Sequence, residues 1–272
     1  MNPHAVIWLN DRLVPRGEAC ISASDRGFLF GDGVFETMRV AGGQLPLLDR
    51  HFARLAEGCR VLRLPPPDRP ALREAVEAVV AANALANGAV RLTCSRGPGP
   101  RGITPPADPS PTVMIAAYAL QPPALPPLRV HVSRQVRDGT SVLSRIKTTN
   151  YLPSIMARFE AIDAGADEAL LRNPAGRIAS ASIGALVVLA GDHLVTPFVD
   201  EGAMESISRA LLLEQGLARE GLVFPDFNDI RAAWVISALS VRPIGSVGRV
   251  PLAVDKSWTE RIRACIHPHP EG

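Results

Sequence analysis

Clusters and alternations of apolar residues in the first 120 positions predict a small domain of helices and strands. Two strand-like runs, Val6–Leu9 and Arg12–Val14, flank a polar Asn-Asp pair, which is typical of a β-hairpin. Helical spacing of apolar side chains predicts a helix over Asp49–Arg63, ended by the prolines that follow. The expected apolar face of that helix consists of Phe52, Leu55, Ala56, Cys59 and Leu62. Further runs predict a second helix and two strands, at Pro70–Ala86, Ala89–Ser95 and Thr112–Ala119.

A proline-rich stretch, Gln121–Pro127, marks the expected domain boundary. Proline pairs repeat within it, and proline propagates neither a helix nor a central strand. We therefore expect an N-terminal α+β domain over residues 1–120, a linker over 121–127, and a larger, β-rich domain over 128–272. The elements predicted in the larger domain are strands near Arg129–Ser133, Glu168–Arg172, Ala185–Leu189 and Trp234–Ser237, and helices near Leu152–Ala164 and Ser206–Arg219.

Composition narrows the class of protein. The 272 residues suffice for two modest domains, and the net charge of +2 with scattered arginines predicts neither a nucleic-acid nor a membrane partner. No apolar run has the length of a membrane span, and Met1–His4 lacks a basic-then-apolar signal pattern. The four cysteines are far apart without paired spacing, which predicts reduced thiols in a cytoplasmic protein and no metal site.

Lysine is nearly absent, and the position of one lysine is informative. Among 29 basic residues only Lys147 and Lys256 are lysines. Lys256 lies in a polar stretch near the C-terminus, where a solvated role is expected. Lys147 lies mid-chain in the segment Ser144–Leu152. Arginine replaces lysine as a charge but not as an amine that forms a Schiff base, so Lys147 is a candidate nucleophile; a solvated surface lysine is the alternative.

Two segments resemble the class IV pyridoxal-phosphate enzymes, the fold type IV group that contains branched-chain and D-amino-acid aminotransferases and 4-amino-4-deoxychorismate lyase. The first is the stretch around Lys147 with the Gly165–Leu171 stretch that follows, and the second is Asp25–Thr37. The resemblance extends from about Val6 to about Pro243. It implies a two-domain α+β fold with a small N-terminal domain and a larger β-rich C-terminal domain that carries the Schiff-base lysine. It also implies a homodimer.

The resemblance implies pyridoxal 5'-phosphate as the cofactor, with Lys147 forming the Schiff base. It assigns the cofactor phosphate to Arg54, to the residues Ile207 and Ser208 that open a predicted helix, and to the hydroxyl of Ser237. A helix start supplies unpaired amides and a favourable dipole for phosphate. Ser206 stands where the family usually has glycine. An ordinary serine-capped helix and a solvated Arg54 are the alternatives.

Ser180 departs from the family pattern in the segment Gly176–Ser182. The family places a glutamate there, which keeps the pyridine nitrogen of the cofactor protonated. A serine hydroxyl at best donates a hydrogen bond to the neutral ring, and Ala185 replaces a common asparagine. The electron sink is therefore expected to be weaker, by about 2–4 kcal/mol of transition-state stabilisation if it resembles the loss of one preorganised donor. This favours a lyase or an inactive protein over a transaminase.

Three further residues are candidates for substrate chemistry. Arg96 and Arg101 lie in an Arg-Gly-rich segment that resembles the lyase-type members, and guanidinium groups bind carboxylates bidentately. Thr37 stands where lyase-type members carry a hydroxyl that assists proton transfer. Arginines that solvate a proline-rich loop and a threonine at a strand edge are the structural alternatives.

The preferred function is release of pyruvate from 4-amino-4-deoxychorismate, which leaves 4-aminobenzoate for folate synthesis. An aminotransferase for branched-chain or D-amino acids is the first alternative. A catalytically silent relative with a binding role is the second, favoured by Ser180, Ala185 and Ser206. The intact Lys147 and Asp25–Thr37 segments oppose it.

Overall fold

A computed structural model describes residues 5–120 and 125–268, and these divide into two compact units. The first unit contains residues 5–120 together with Ile146–Asn150. The second contains residues 125–145 and 151–268. Met1–His4 and residues 121–124 of the expected linker lie outside the described residues.

The first unit is a five-stranded antiparallel sheet with two long helices. Its sheet has the strand order β2-β1-β5-β4-β3. The strands are β1 (Val6–Leu9), β2 (Arg12–Pro15), β3 (Gly33–Val40), β4 (Gly88–Ser95) and β5 (Thr112–Ala119). The helices are α1 (Arg26–Phe30), α2 (Leu48–Val61) and α3 (Arg69–Ala82). The sheet therefore has β3 at one edge.

The two faces of β3 have different surroundings. Its even-numbered apolar residues, among them Val34 and Met38, join one buried core with residues of α2 and α3. Because side chains alternate along a strand, Phe35 and Thr37 lie on the opposite face. One face of β3 therefore packs against the helices, and the other carries Phe35 and Thr37.

The second unit is built on a nine-stranded mixed sheet. Its main path has the order β11-β10-β9-β12-β13-β6-β7-β8, and β14 pairs with β13. The strands are β6 (Leu128–Val136), β7 (Glu168–Arg172), β8 (Ile178–Ala181), β9 (Ala185–Ala190), β10 (His193–Pro197), β11 (Ala218–Gly221), β12 (Ile230–Ile236), β13 (Val241–Val247) and β14 (Val250–Pro251). The helices are α4 (Val142–Arg145), α5 (Leu152–Asp163), α6 (Ile207–Glu214) and α7 (Lys256–Ile266).

Most of the predicted elements are confirmed, with differences at helix ends and at Ala56; several elements, among them β10, β13 and α7, had no prediction. The helix predicted over Ser206–Arg219 stops at Glu214, because Gly216 adopts a left-handed backbone (φ 65°) and the next residues form β11. The helix predicted over Pro70–Ala86 ends at Ala82. On α2, Ala56 is exposed rather than on the apolar face.

The segment that carries Lys147 groups with the first unit, whereas the sequence assigned it to the C-terminal domain. Thr148 bridges to Val34, and the backbone N–H of Phe35 donates to the carbonyl of Lys147 at 3.0 Å. These main-chain contacts tie the segment to β3. Within residues 5–120 and 125–268, no helix is both long and apolar enough to cross a membrane.

Candidate active site

Lys147 is held by the edge strand β3. The Thr149 N–H donates to the Gly33 carbonyl at 3.0 Å, and the Thr149 hydroxyl donates to the Gly31 carbonyl at 2.6 Å. Together with the Phe35–Lys147 hydrogen bond, these bonds extend the antiparallel pairing beyond the sheet edge. The main chain on both sides of the lysine is therefore fixed within the first unit.

The Lys147 side chain lies over the ring of Phe35. Its Nζ is 4.4 Å from the ring centroid, and the guanidinium carbon of Arg91 is 3.7 Å from the same centroid. Thr37, paired with Arg91 across β3 and β4, shares this face. The structure thus brings Lys147 and Thr37 to one face of the sheet, with an aromatic ring and a second cation beside them.

Thr93 adds a hydroxyl to this face. It pairs with Phe35 across the strands, and its Oγ1 is buried without a hydrogen bond to any described residue. Buried hydroxyls nearly always have a partner, so an orphaned one on the lysine face is what a ligand-binding surface would present. The first unit therefore suits a polar ligand next to Lys147.

Arg54 lies on the helix side of β3 and is bound by Glu36. Its Nε and Nη2 donate to the two carboxylate oxygens of Glu36, at 2.7 Å and 2.6 Å. The Nδ1 of His51 lies 2.7 Å from Glu36 Oε2. The predicted phosphate arginine is therefore neither exposed nor simply solvated.

The charge of Glu36 is set by these partners. Burial raises the pKa of its carboxyl group, but the Arg54 guanidinium and the His51 contact outweigh burial and bring the pKa to about 2. Glu36 is therefore an ionised carboxylate at neutral pH.

Arg96, which was predicted to bind substrate, is held by contacts within the first unit. Its Nε and Nη2 donate to Asp32, at 2.8 Å and 3.0 Å, and its other donors reach the carbonyls of Leu62 and Arg63. The side chain is buried, so its donors are committed within the protein. Asp32 also accepts from Arg26. Burial raises the pKa of Asp32, but the two arginines outweigh it and lower the pKa.

Arg101 remains available for substrate binding. It is exposed, in a loop whose carbonyls at Gly102, Ile103 and Thr104 accept from the Arg26 guanidinium. Arg26 therefore joins this loop to the Asp32–Arg96 pair, and the loop has a defined course although it is rich in glycine and proline.

In the second unit, the predicted phosphate contacts Ile207 and Ser208 open α6. Ser206 is the N-cap, and its Oγ accepts from the Arg209 N–H at 3.5 Å. The first amides of a helix have no acceptor within the helix, and Ser206 satisfies only one of them. The donors at this helix start suit an anionic group such as a phosphate.

Ser180 and Ser237 lie on adjoining elements of the second unit. Ser180 Oγ is 3.0 Å from the carbonyl oxygens of Ala181 and Gly184, so its single proton goes to the backbone. A side chain on Gly184 would put its Cβ 2.6 Å from the Ile236 carbonyl oxygen, so this turn packs against the end of β12. Ser237 follows β12, and its Oγ accepts from the Leu239 and Ser240 amides at 3.2 Å.

Five residues that surround Lys147 and Arg54 had no assignment from the sequence: Phe35, Glu36, His51, Arg91 and Thr93. Glu36 and Phe35 lie inside the Asp25–Thr37 motif, where their opposite faces follow from strand alternation. His51 and Arg54 are three residues apart, the spacing that places two side chains on one face of a helix. Arg91 had no signal beyond its place in an apolar strand.

Comparisons with known proteins identify the family. The sequence model of the family "Amino-transferase class IV" matches residues 33–247. The chain belongs to that family. Its members are pyridoxal-phosphate-dependent enzymes, either transaminases or lyases, and the donors described above suit that cofactor. Among the described residues, no cluster of His, Cys, Asp or Glu could hold a metal ion.

Named relatives include both reaction types. A putative branched-chain-amino-acid aminotransferase of Methanocaldococcus jannaschii is 30% identical over 219 residues, covering 79% of this chain and 75% of the relative. The aminodeoxychorismate lyase of Bacillus subtilis is 28% identical over 213 residues, covering 77% and 73%. The crystal structure of 4-amino-4-deoxychorismate lyase from Pseudomonas aeruginosa superposes with a TM-score of 0.82 at 28% identity, covering 98% of this chain and all of that one.

Glu36 should make the stability of the protein pH-dependent. Its folded-state pKa of about 2 lies below the ordinary 4.5, so its contribution is complete above pH 4.5 and is lost as the pH falls toward 2. We expect the free energy of unfolding, measured with urea at stepped pH, to fall across that window. Glu36→Gln should show a shallower slope and cost about 3–5 kcal/mol at pH 7, because it leaves Arg54 without its carboxylate.

The matched control is Glu57→Gln, which removes an exposed carboxylate paired with Arg60 on the same helix. It should keep the wild-type slope and most of the stability. A Glu36→Gln protein with the wild-type slope would contradict the assigned pKa.

Proposed function

We propose that this protein is a pyridoxal-phosphate-dependent lyase that releases pyruvate from 4-amino-4-deoxychorismate and leaves 4-aminobenzoate for folate synthesis. The observation that carries the proposal is Ser180, a residue without a carboxylate whose only hydroxyl proton is engaged by backbone carbonyls. The lyase names of the B. subtilis and P. aeruginosa relatives support it.

Lys147 has the central role in this proposal. When bound, pyridoxal phosphate supplies an electron sink that withdraws charge from the substrate α-carbon. With the cofactor bound, Lys147 Nζ would be the amine that bonds to it and, once the substrate amine has replaced it, the base that takes the α-proton. Its fixed main chain on β3 and its position over Phe35 support this double use of one nitrogen.

The proposal assigns the cofactor phosphate to Arg54, to the Ile207 and Ser208 amides, and to Ser237. A guanidinium and a helix start are both favourable partners for a phosphate dianion. Ser237 Oγ accepts from the Leu239 and Ser240 amides and lies 3.2 Å from the Ser240 hydroxyl, so one proton of this hydroxyl pair is left to donate to the phosphate.

The two reactions differ in how long negative charge stays on the substrate α-carbon. Transamination must hold that charge until a proton returns elsewhere, so it depends strongly on a protonated ring nitrogen. Elimination expels its leaving group and relies on the sink for less time. The Ser180 hydroxyl already donates to Ala181 or Gly184, and unlike a carboxylate it cannot keep the pyridine nitrogen of the cofactor protonated. This favours elimination over transamination.

Arg101 is the proposed partner for a substrate carboxylate, since Arg96 is committed to Asp32. Arg101 is exposed in a loop that Arg26 holds in place. Thr37 is the proposed aid to proton transfer, because it shares the face of β3 on which the Lys147 amine lies.

An aminotransferase for branched-chain or D-amino acids is the second candidate. The M. jannaschii relative, 30% identical and named as a branched-chain aminotransferase, is the observation that favours it. A silent relative with a binding role is the third, favoured by the missing carboxylate at Ser180. Half-transamination separates the first two, because only a transaminase accumulates the aminated cofactor.

We also propose a homodimer in the cytoplasm, and the surface of α5 supports the dimer. Five apolar side chains of α5 are exposed, at positions that form one stripe along the helix: Leu152, Ile155, Met156, Phe159 and Ile162. Only its alanine face is buried, against β7. An exposed apolar stripe of this length is typical of an interface, and dimers with twofold symmetry are the commonest assembly.

Covalent cofactor attachment tests the role of Lys147. After incubation with pyridoxal phosphate and reduction with borohydride, the wild-type peptide that contains Lys147 should carry the cofactor mass by mass spectrometry. Lys147→Arg should lose the label, because a guanidinium keeps the charge without the nucleophilic amine. Lys256→Arg is the control and should keep it. Labelling of Lys256 alone would contradict the proposal.

Product analysis then separates the reactions. With 4-amino-4-deoxychorismate, a lyase should yield pyruvate and 4-aminobenzoate in equal amounts; with D-alanine or leucine it should form little aminated cofactor. Ser180→Glu should raise half-transamination by restoring a carboxylate, on the order of 10²-fold if about 3 kcal/mol is recovered. A drop in transamination would mean that the lyase chemistry and Ser180 are not linked in this way.

The α5 stripe is tested by a charge placed on it. Phe159→Glu should convert the dimer to a monomer in sedimentation equilibrium, because a carboxylate would be buried at the interface without a partner. Leu222→Glu, at an exposed apolar residue outside α5, should leave the dimer intact. A monomeric wild type, or a dimeric Phe159→Glu protein, would rule out this surface.

A further inference from the structure

We propose that Glu36 is a positioning residue for the cofactor phosphate, acting through Arg54. It rests on the proposed assignment of Arg54 to that phosphate and extends the site to a residue that never touches the cofactor. The observations are the two-point contact between the carboxylate and the guanidinium, the depth of the pair, and the strand on which Glu36 lies.

The contact fixes the plane of the guanidinium. Nε and Nη2 of Arg54 reach different oxygens of Glu36, at 2.7 Å and 2.6 Å, so rotation about the end of the side chain would break at least one bond. His51 contacts Oε2 at 2.7 Å and fixes the carboxylate in turn. Arginine has five N–H donors, and Glu36 accepts from two of its three nitrogens on one edge. The opposite edge of the guanidinium is thereby given a defined direction.

Burial of the pair is uneven. The Glu36 side chain is 1% exposed, whereas the Arg54 side chain is 13% exposed. Arg54 is thus the more accessible member of the pair. A buried ion pair adds little net stability compared with apolar residues of similar size, so stability alone gives no reason to keep one here.

Glu36 also follows directly after Phe35 in β3. The Phe35 amide binds the main chain of Lys147, and its ring lies under the Lys147 amine. Two successive residues of one rigid strand therefore hold, on opposite faces, the amine that bonds to the cofactor and the arginine assigned to its phosphate. A rigid strand that anchors both groups fixes their separation, which favours precise positioning of a ligand held at two points.

If only its charge mattered, Glu36 would weaken phosphate binding at Arg54 rather than strengthen it. A carboxylate next to Arg54 repels a phosphate dianion, so removing its charge should strengthen phosphate binding if charge decided the outcome. If orientation decides it, removing the carboxylate should weaken binding. The sign of the change therefore separates the two roles.

The experiment measures non-covalent binding in the Lys147→Ala background, by equilibrium dialysis with pyridoxal phosphate and with pyridoxal, which lacks the phosphate. Adding Glu36→Gln should raise the Kd of pyridoxal phosphate about tenfold, the effect of losing about one charge-assisted hydrogen bond, and leave the Kd of pyridoxal within about twofold. Glu36→Asp, which keeps the charge but shortens the side chain, should also weaken pyridoxal phosphate. It serves as the test if Glu36→Gln does not fold.

Two controls show whether the effect passes through Arg54. Glu57→Gln, which breaks an exposed pair on the same helix, should change neither Kd. In an Arg54→Met background, Glu36→Gln should have no further effect on pyridoxal phosphate, because residues that act as one unit are not additive.

Three results would overturn the proposal. Tighter or unchanged binding of pyridoxal phosphate in the Glu36 variants would show that orientation is not its role. Equal weakening of both ligands would show a purely structural one. If Lys147→Ala binds pyridoxal phosphate no better than pyridoxal, the phosphate assignment itself fails and the role of Glu36 with it. If it binds neither ligand while Lys147 also resists borohydride labelling, the proposed function fails first.

Discussion

The pairing of Ile146–Asn150 with β3 is the contact on which the first unit's chemistry depends. Strand β3 is at the edge of its sheet, so its outer backbone groups need a partner, and the lysine segment supplies one. The same hydrogen bonds that pair the free edge of β3 also place the Lys147 amine over Phe35. Alternation along β3 then places Glu36 on the other face, where it binds Arg54. A single strand thus organises the nucleophile and the ion pair.

Local elements could be predicted because local pattern decides them. The α2 helix buries one face, and its apolar spacing shows it; the β1–β2 hairpin was indicated by two short apolar runs around a polar turn. Helix ends could not be predicted as well, because Gly216 and β11 end α6 through backbone geometry and strand pairing rather than through a change in polarity.

The site residues that the resemblance assigned stay predictions, and the arginines show what the sequence alone leaves undecided. The resemblance led to Lys147, Arg54 and the α6 start from quoted motifs. Nothing in the sequence distinguished Arg96, which is committed to Asp32, from Arg101, which is exposed. That difference arises from contacts between residues far apart in the chain. Glu36 was overlooked for the same reason, since its partners His51 and Arg54 lie on another element.

The path of the chain through the first unit has a consequence for its folding. The unit is not continuous in sequence: residues 5–120 form the sheet, and the segment that pairs with the β3 edge, Ile146–Asn150, comes later in the chain. During synthesis the β3 edge therefore has no partner until residues 146–150 have left the ribosome. A fragment cut at the proline-rich stretch would keep this open edge permanently, and open edges recruit other strands. The part of the chain before the proline-rich stretch is therefore not the complete first unit, because Ile146–Asn150 lies beyond that stretch.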